Sequence, residues 1–270
     1  MKKLFFAVFL SFSVFALNAQ TVDEVINRFI EANGGLSKLT SINSLQIESS
    51  MNIEQMGSTI NVLTIKEKNK LFRIQSSSPM SSEESFTVIT DTAGYTFVPA
   101  MNSPMGSMDA SLTKFKEDEL EASSYQKDCE GLFAPLVNYA AKGHTATLDG
   151  TEKINGIECD KVNLKLKSGQ EMTFYISKAN AQVRRLQVSA PIALDMMGMS
   201  AMRRSFGGGG ERSSRMANRK IDIDYEKYKL FNGIPFPTKQ SVSLGMMQLQ
   251  LDNLSIKVNE PINARWYQVK

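Results

Sequence analysis

The residues that could carry catalysis are few in this sequence. His144 is the single histidine in the 270-residue chain, so no other imidazole could activate a serine or cysteine nucleophile. It follows Gly143 at a predicted helix-to-strand junction, where a solvated loop histidine is the expected occupant. Asp222, Asp224 and Glu226 alternate with apolar residues in a predicted strand, so they face solvent rather than converging as paired catalytic carboxylates do. We therefore predict that the protein is not an enzyme.

The cysteines and the glycine-rich stretch offer no cofactor site either. Cys129 and Cys159 are the only cysteines, and together with one histidine they match no metal-ligand spacing. In an exported chain they could form a disulfide, or they could remain two buried thiols, and both alternatives stay open. The glycines at 207–210 are followed by Glu211 and Arg212, whereas a phosphate-binding loop needs a lysine and a hydroxyl residue there. We expect no metal, nucleotide or other cofactor.

The stretch from 191 to 218 combines methionines, four consecutive glycines and arginines between two predicted strands. Loops of this length are usually functional or disordered. Methionine adapts to apolar partners and arginine is attracted to anionic lipid, so transient contact with a membrane surface is one interpretation. A disordered, solubilised connection is the other, and the composition favours it. We predict a flexible, solvent-facing hairpin insertion.

The N-terminus has the layout of a secretory signal peptide. Lys2 and Lys3 precede an apolar run over residues 4–17, and small and polar residues follow, which predicts cleavage near Gln20. Because no cysteine follows to receive a lipid anchor, we expect an unanchored protein of the periplasm. The formal net charge of +3 includes the two leader lysines and argues against a nucleic-acid partner.

Hydrophobic periodicity predicts the elements of residues 21–270, which we expect to form a single domain. Thr21 and Glu24 form a capping box at the start of an amphipathic helix that ends at Gly34. From Leu45 the apolar period becomes two over about ten or eleven strands, as in an antiparallel sheet with one covered face. Residues 100–143 interrupt the strands with a polar helix and a short apolar helix.

So long an apolar sheet face needs a cover. A flat sheet with two or three helices would leave much of it in water, whereas a curled sheet with helices across its opening would not. The sequence therefore predicts an α+β fold: a half-closed, mainly antiparallel β-barrel with an N-terminal helix and lid helices over the concave face.

Three blocks of the sequence carry a family resemblance. They are TVDEVINRFIEANGGLSKLTSINSLQIESSM (21–51), KEKNKLFRIQSSSPMSSEESFTVITDTAGYTFVPAMN (66–102) and TEKINGIECDKVNLKLKSGQEMTFYISK (151–178). Together they resemble the outer-membrane lipoprotein-sorting proteins, the LolA-like carriers of the Gram-negative periplasm. The resemblance implies an incomplete barrel that holds lipoprotein acyl chains beneath a lid. The carriers have an arginine–proline pair where this chain has Lys68 and Asn69, and that arginine helps to latch the lid.

On this resemblance we expect a monomeric carrier of lipoprotein acyl chains or another lipid, which exchanges its load with inner- and outer-membrane partner proteins. A non-catalytic interaction or structural module of the envelope, with a packed core, is the alternative. The candidate cavity residues come from both halves of the sheet and from the lid, and each could equally be plain core. They are Phe86, Val88, Tyr95, Phe97, Phe115, Leu132, Phe133, Val137, Phe174, Leu249 and Leu251.

Overall fold

The computed structural model describes residues 20–78, 81–103, 106–199, 219–245 and 247–269. Over these residues the chain forms a 13-stranded sheet, a separate two-stranded hairpin and four short α-helices. Every strand pair in the sheet is antiparallel, and the sheet has two free edges. The predicted α+β fold with an incomplete barrel is confirmed, with more strands than the ten or eleven expected. The predicted signal peptide lies outside the described residues, apart from Gln20.

The elements follow one another along the chain with short connections. The helices are α1 (Val22–Ala32), α2 (Leu36–Thr40), α3 (Glu117–Ala122) and α4 (Ala190–Met196). The strands are β1 (Ser44–Ile53), β2 (Ser58–Glu67), β3 (Leu71–Ser78), β4 (Ser81–Ile89), β5 (Gly94–Val98), β6 (Met101–Ser103), β7 (Gly106–Met108), β8 (Ser111–Lys114), β9 (Thr145–Ile154), β10 (Ile157–Lys165), β11 (Glu171–Ser177), β12 (Val183–Ser189), β13 (Lys220–Phe231), β14 (Ile234–Leu244) and β15 (Met247–Val258).

The sheet consists of two meanders joined at the first and last strands. Its order is β8-β5-β4-β3-β2-β1-β15-β14-β13-β12-β11-β10-β9, and β6 pairs only with β7. The register between β1 and β15 shifts at Glu48 and Ser49, so Leu254 has no partner on β1. This irregularity is a β-bulge. The bulge shifts the alternation of buried and exposed residues within β15. In the sequence, this one strand therefore resembles two shorter strands.

Helix α1 begins and ends where the sequence predicts. The Thr21 hydroxyl accepts from the Glu24 amide at 3.2 Å, and the Glu24 carboxylate accepts from the Thr21 amide at 2.8 Å. Two backbone amides at the helix start are thereby satisfied. Gly34 follows the last turn at a φ of 107°, which only glycine adopts readily. The buried face of α1 consists of Val25, Ile26, Phe29 and Ile30.

The connection from β8 to β9, residues 115–143, joins the two edge strands of the sheet. We call it the lid, because a chain that runs between the two edges of a curled sheet must cross its open side. Phe133 lies at its centre, with ring centroids 6.2 Å from Phe29 of α1, 6.3 Å from Phe174 of β11 and 4.9 Å from Tyr225 of β13. The lid thus packs on the face that carries the main core, which we call the inner face.

The outer face has a cover of its own near the chain end. Ile65, Leu71 and Val88 form a second small core there, and the C-terminal segment, which includes Trp266 and Tyr267, packs against it. Arg73 lies between the two layers. Its guanidinium donates to the carbonyl oxygen of Gln268 at 2.8 Å.

One sequence prediction of local structure is wrong, and a second differs from the structure over the described part of its range. The expected apolar helix in the lid is a 3₁₀ turn, Ala134–Leu136, followed by further turns. Pro135 lacks an amide donor, and Asn138 has a φ of 54°, which does not fit an α-helix. The predicted solvent-facing insertion begins instead with α4, whose Leu194 is buried like Met197 and Met199 after it. The rest of that stretch, 200–218, lies outside the described residues.

Candidate functional site

An apolar cavity of about 90 Å³ lies between the lid and the inner face of the sheet. Both meanders, α4 and the lid contribute to its wall. Its apolar and glycine lining consists of Leu45, Ile47, Val62, Phe72, Ile74, Gly131, Leu132, Phe133, Pro135, Met172, Phe174, Leu186, Met196 and Leu251. Tyr125, Gln126 and the polar residues Ser49, Thr64, Lys66, Gln240 and Asn253 complete the wall.

The structure brings four of the predicted residues together at this cavity: Leu132, Phe133, Phe174 and Leu251. Val137 and Leu249 belong to the surrounding core, with 0% and 1% of their surfaces exposed. Phe115 packs over β5, the strand next to the edge strand β8. A Cβ added to Gly94 would come within 2.6 Å of its ring.

The remaining four predicted residues do not line the cavity. Phe72 lines it and pairs with Ile89 across β3 and β4. Ile89 therefore faces inward like Phe72. Because successive side chains of a strand point to opposite faces, Val88 faces outward, and so do the side chains that share its face of β4 and β5. The outward residues are Phe86, Val88, Tyr95 and Phe97. The sequence prediction assigned them to the wrong face of the sheet.

A polar network crosses the inner face at the β-bulge. The Ser49 hydroxyl donates to the Asn253 side-chain oxygen at 2.8 Å, and the Asn253 side-chain amide donates to the Pro237 carbonyl at 2.7 Å. Gln240 donates to the same Asn253 oxygen at 3.5 Å. These polar groups satisfy one another, so this part of the wall costs little to keep out of water.

Ion pairs join the middle of the lid to the turn between β2 and β3 and to the last residues of the lid itself. Lys68 is 3.0 Å from the Glu130 carboxylate and donates to the Thr40 carbonyl at 2.8 Å. Lys142 is 2.8 Å from the Asp128 carboxylate and 3.1 Å from that of Glu130. Lys68 therefore holds the lid from the position where the family resemblance places an arginine. Burial alone would raise the pKa of Glu130, but Lys142 and Lys68 hold that pKa below its ordinary value.

Tyr125 and Gln126 stand where the cavity meets the surface. Tyr125 lines the cavity and also two outer clefts of about 330 and 440 Å³. Gln126 lines the cavity and the larger cleft. Burial and the neighbouring Asp195 raise the pKa of Tyr125, so its hydroxyl is neutral at physiological pH. Tyr125 therefore lies where the cavity and the two clefts adjoin.

His144 is buried, so the prediction of a solvated loop histidine is wrong. Its Nδ1 accepts a hydrogen bond from the Lys167 amide at 3.1 Å. Its Nε2 is buried and makes no hydrogen bond to any residue that the structure describes. Burial lowers its pKa.

Cys129 and Cys159 are both buried and free. Of the two open alternatives, the structure therefore has two thiols. Burial raises the pKa of Cys129 to about 12 and also raises that of Cys159, which makes both poor nucleophiles. Over the described ranges, no group of three or more His, Cys, Asp or Glu side chains could hold a metal ion.

The helices of the described part are all too short or too polar to span a bilayer.

Comparison with known proteins bears on the fold. The sequence matches no protein-family model and no curated protein. The structure is similar to a LolA superfamily protein from Nitrosomonas europaea, with a TM-score of 0.54 at 11% sequence identity over 93% of this chain and 99% of the other. It was also matched to a DUF1329 family protein from Desulfovibrio piger, with a TM-score of 0.45 at 10% identity over 93% of this chain and 98% of that one. The similarity to the Nitrosomonas europaea protein confirms the LolA-like fold that the sequence resemblance predicts.

Proposed function

We propose that this protein is an exported, non-catalytic carrier of the periplasm that shields acyl chains from water in the cavity beneath its lid. The load would be the acyl chains of lipoproteins or another lipid, passed between donor and acceptor proteins of the two membranes. The observation that carries the proposal is the apolar cavity, whose wall is formed jointly by both meanders and the lid.

The physical basis is the transfer of methylene groups out of water. Each buried methylene contributes about 0.8 kcal/mol, so even part of an acyl chain supplies a substantial driving force without any catalytic group. A carrier must also release its load, which requires a cover that moves. The lid of this chain has a 3₁₀ turn in place of a long helix, and it is held by the Lys68–Glu130 ion pair together with the apolar contacts of Phe133.

The volume of the cavity sets a condition on the proposal. About 90 Å³ is well below the roughly 300–1,000 Å³ of ordinary ligand pockets. A long acyl chain therefore needs the lid to shift. Turning Tyr125 aside would join the cavity to the adjoining clefts of about 330 and 440 Å³, which provides enough room for a chain.

The same volume favours the second candidate, an interaction module of the envelope with an essentially filled core. Such a module would bind no lipid, and its function would lie on its surface. Lipid binding therefore separates the two candidates.

The test is direct detection of bound lipid, followed by titration with a fluorescent fatty acid. We expect mass spectrometry of organic extracts to find acyl lipid with the purified protein, and we expect the probe to bind. Thr64→Phe places a bulky ring in the cavity wall, which should lower probe affinity at least tenfold. Its control is Leu254→Phe, because Leu254 is 66% exposed and lies away from the cavity. Clean extracts together with no probe binding would reject the carrier in favour of the module.

A further inference from the structure

Lys66 is the only charged residue in the wall of the cavity, all of which belongs to the described residues. It lies on the inner side of β2, opposite Leu45 of β1 and Phe72 of β3. Its Nζ is 5.7 Å from the centroid of the Phe72 ring. A cation thus stands in a wall that is otherwise apolar or neutral.

The ammonium group of Lys66 has no carboxylate partner among the residues that the structure describes. Its Nζ donates to the backbone carbonyl of Asp128 at 3.1 Å. The nearby carboxylates of Asp128 and Glu130 are instead bound by Lys142 and Lys68. Burial lowers the pKa of Lys66, although Cys129, Asp128 and Glu130 oppose that shift. An ammonium group has three donors, so Lys66 keeps donor capacity for a further acceptor.

Lys66 is half-buried, and a cation withdrawn from water without a counterion is costly unless an anion pairs with it. We infer that the cavity takes an acyl chain with a free carboxylate, a long-chain fatty acid, whose head accepts from Lys66 while its tail enters the apolar space. The inference rests on the proposed function and selects among its ligands. An ester-linked acyl chain carries no charge at its head and would leave Lys66 unpaired.

A purely structural role for Lys66, holding the lid through the Asp128 carbonyl, makes a different prediction. Such a role would alter the affinity for every lipid equally, whereas recognition of a carboxylate alters the ratio between an acid and its neutral ester. The ratio is therefore the quantity to measure.

The experiment uses the purified protein, with lauric acid and methyl laurate displacing a fluorescent fatty acid. We expect the wild type to prefer the acid by about tenfold to a hundredfold, as for one hydrogen bond to a charged group. Lys66→Met should bring the ratio close to one while keeping the affinity for the ester, and Lys66→Arg should keep the preference. Lys127→Met is the control, because it removes the ion pair between the lid and Asp91 and leaves Lys66 and the paired carboxylates of Asp128 and Glu130 in place.

An unchanged ratio in Lys66→Met, or a loss of the ratio in Lys127→Met, would overturn the inference while leaving the carrier intact. Tighter binding of dodecyl phosphate than of lauric acid by the wild type would overturn the assignment of a carboxylate. If the wild type bound neither the acid nor the ester, the proposed function itself would fail, and this inference with it.

Discussion

At the scale of single residues, Phe133 links the lid to the rest of the inner core. Its ring meets Phe29, Phe174 and Tyr225 edge to face and also lines the cavity. Contacts of this kind stabilise a core beyond the area that they bury. Phe133 therefore affects both the stability of the protein and the shape of the cavity.

Phe133→Ala should lower the free energy of unfolding by about 3–5 kcal/mol, the usual cost of removing a buried phenyl ring. The substitution also enlarges the cavity, so added fatty acid should recover more stability in the variant than in the wild type. Urea unfolding with and without lauric acid measures both effects. Leu230→Ala, at a residue 70% exposed, should change stability by less than about 0.5 kcal/mol. Equal recovery in the wild type and Phe133→Ala would contradict the link between this residue and the ligand.

At the scale of elements, the attachment of the middle of the lid depends on one buried carboxylate. Glu130 is 6% exposed and pairs with Lys68 and Lys142. Because its pKa in the folded protein is below the ordinary value of 4.5, the unfolded chain takes up its proton first as the pH falls. The stability that this group contributes is therefore complete above about pH 5 and is lost as the pH falls through the lowered pKa.

Glu130→Gln should cost about 1.5–3 kcal/mol at pH 7, since it removes hydrogen bonds to a charged group. The difference in the free energy of unfolding between wild type and variant should shrink as the pH falls from about 5 to about 3, because protonation of Glu130 then removes the same charge from the wild type. Hydrogen exchange at the lid amides and urea unfolding at several pH values provide the measurements. The exposed residue Glu158 supplies the control, Glu158→Gln. A constant difference across this pH range would show that Glu130 does not govern the attachment.

The elements also show which features a sequence can predict. Helix α1 was predictable because its caps and its apolar period are local. The inner and outer faces of β2 and β4 were not, since the C-terminal segment covers their outer side and both phases of the alternation carry apolar residues. The outward position of Phe86 and the inward position of Lys66 depend on that distant segment. The local alternation of apolar and polar residues does not contain this information. One clue was present: Lys66 lies four residues after Val62, so both side chains point to the same face of β2, and both line the cavity.

At the scale of the whole molecule, the sheet separates two layers with different roles. The inner layer contains the cavity and the lid. The outer layer is the C-terminal segment, which Arg73 holds through hydrogen bonds to the Trp266 and Gln268 carbonyls. The same guanidinium lies 4.2 Å from the ring centroid of Phe86 on β4. Trp266 is the only tryptophan in the chain, so its fluorescence reports on the outer layer alone.

Arg73→Met should release the C-terminal segment while leaving lipid binding intact, because the sheet lies between this arginine and the cavity. Breaking the two hydrogen bonds should shift Trp266 emission to longer wavelength and lower stability by about 1–3 kcal/mol. Lauric acid affinity should stay within about twofold of the wild type. Lys229→Met, on an exposed position of β13, should change neither property. If affinity fell together with the emission shift, the two layers would be coupled through the sheet, and the outer cover would have to be counted as part of the binding site.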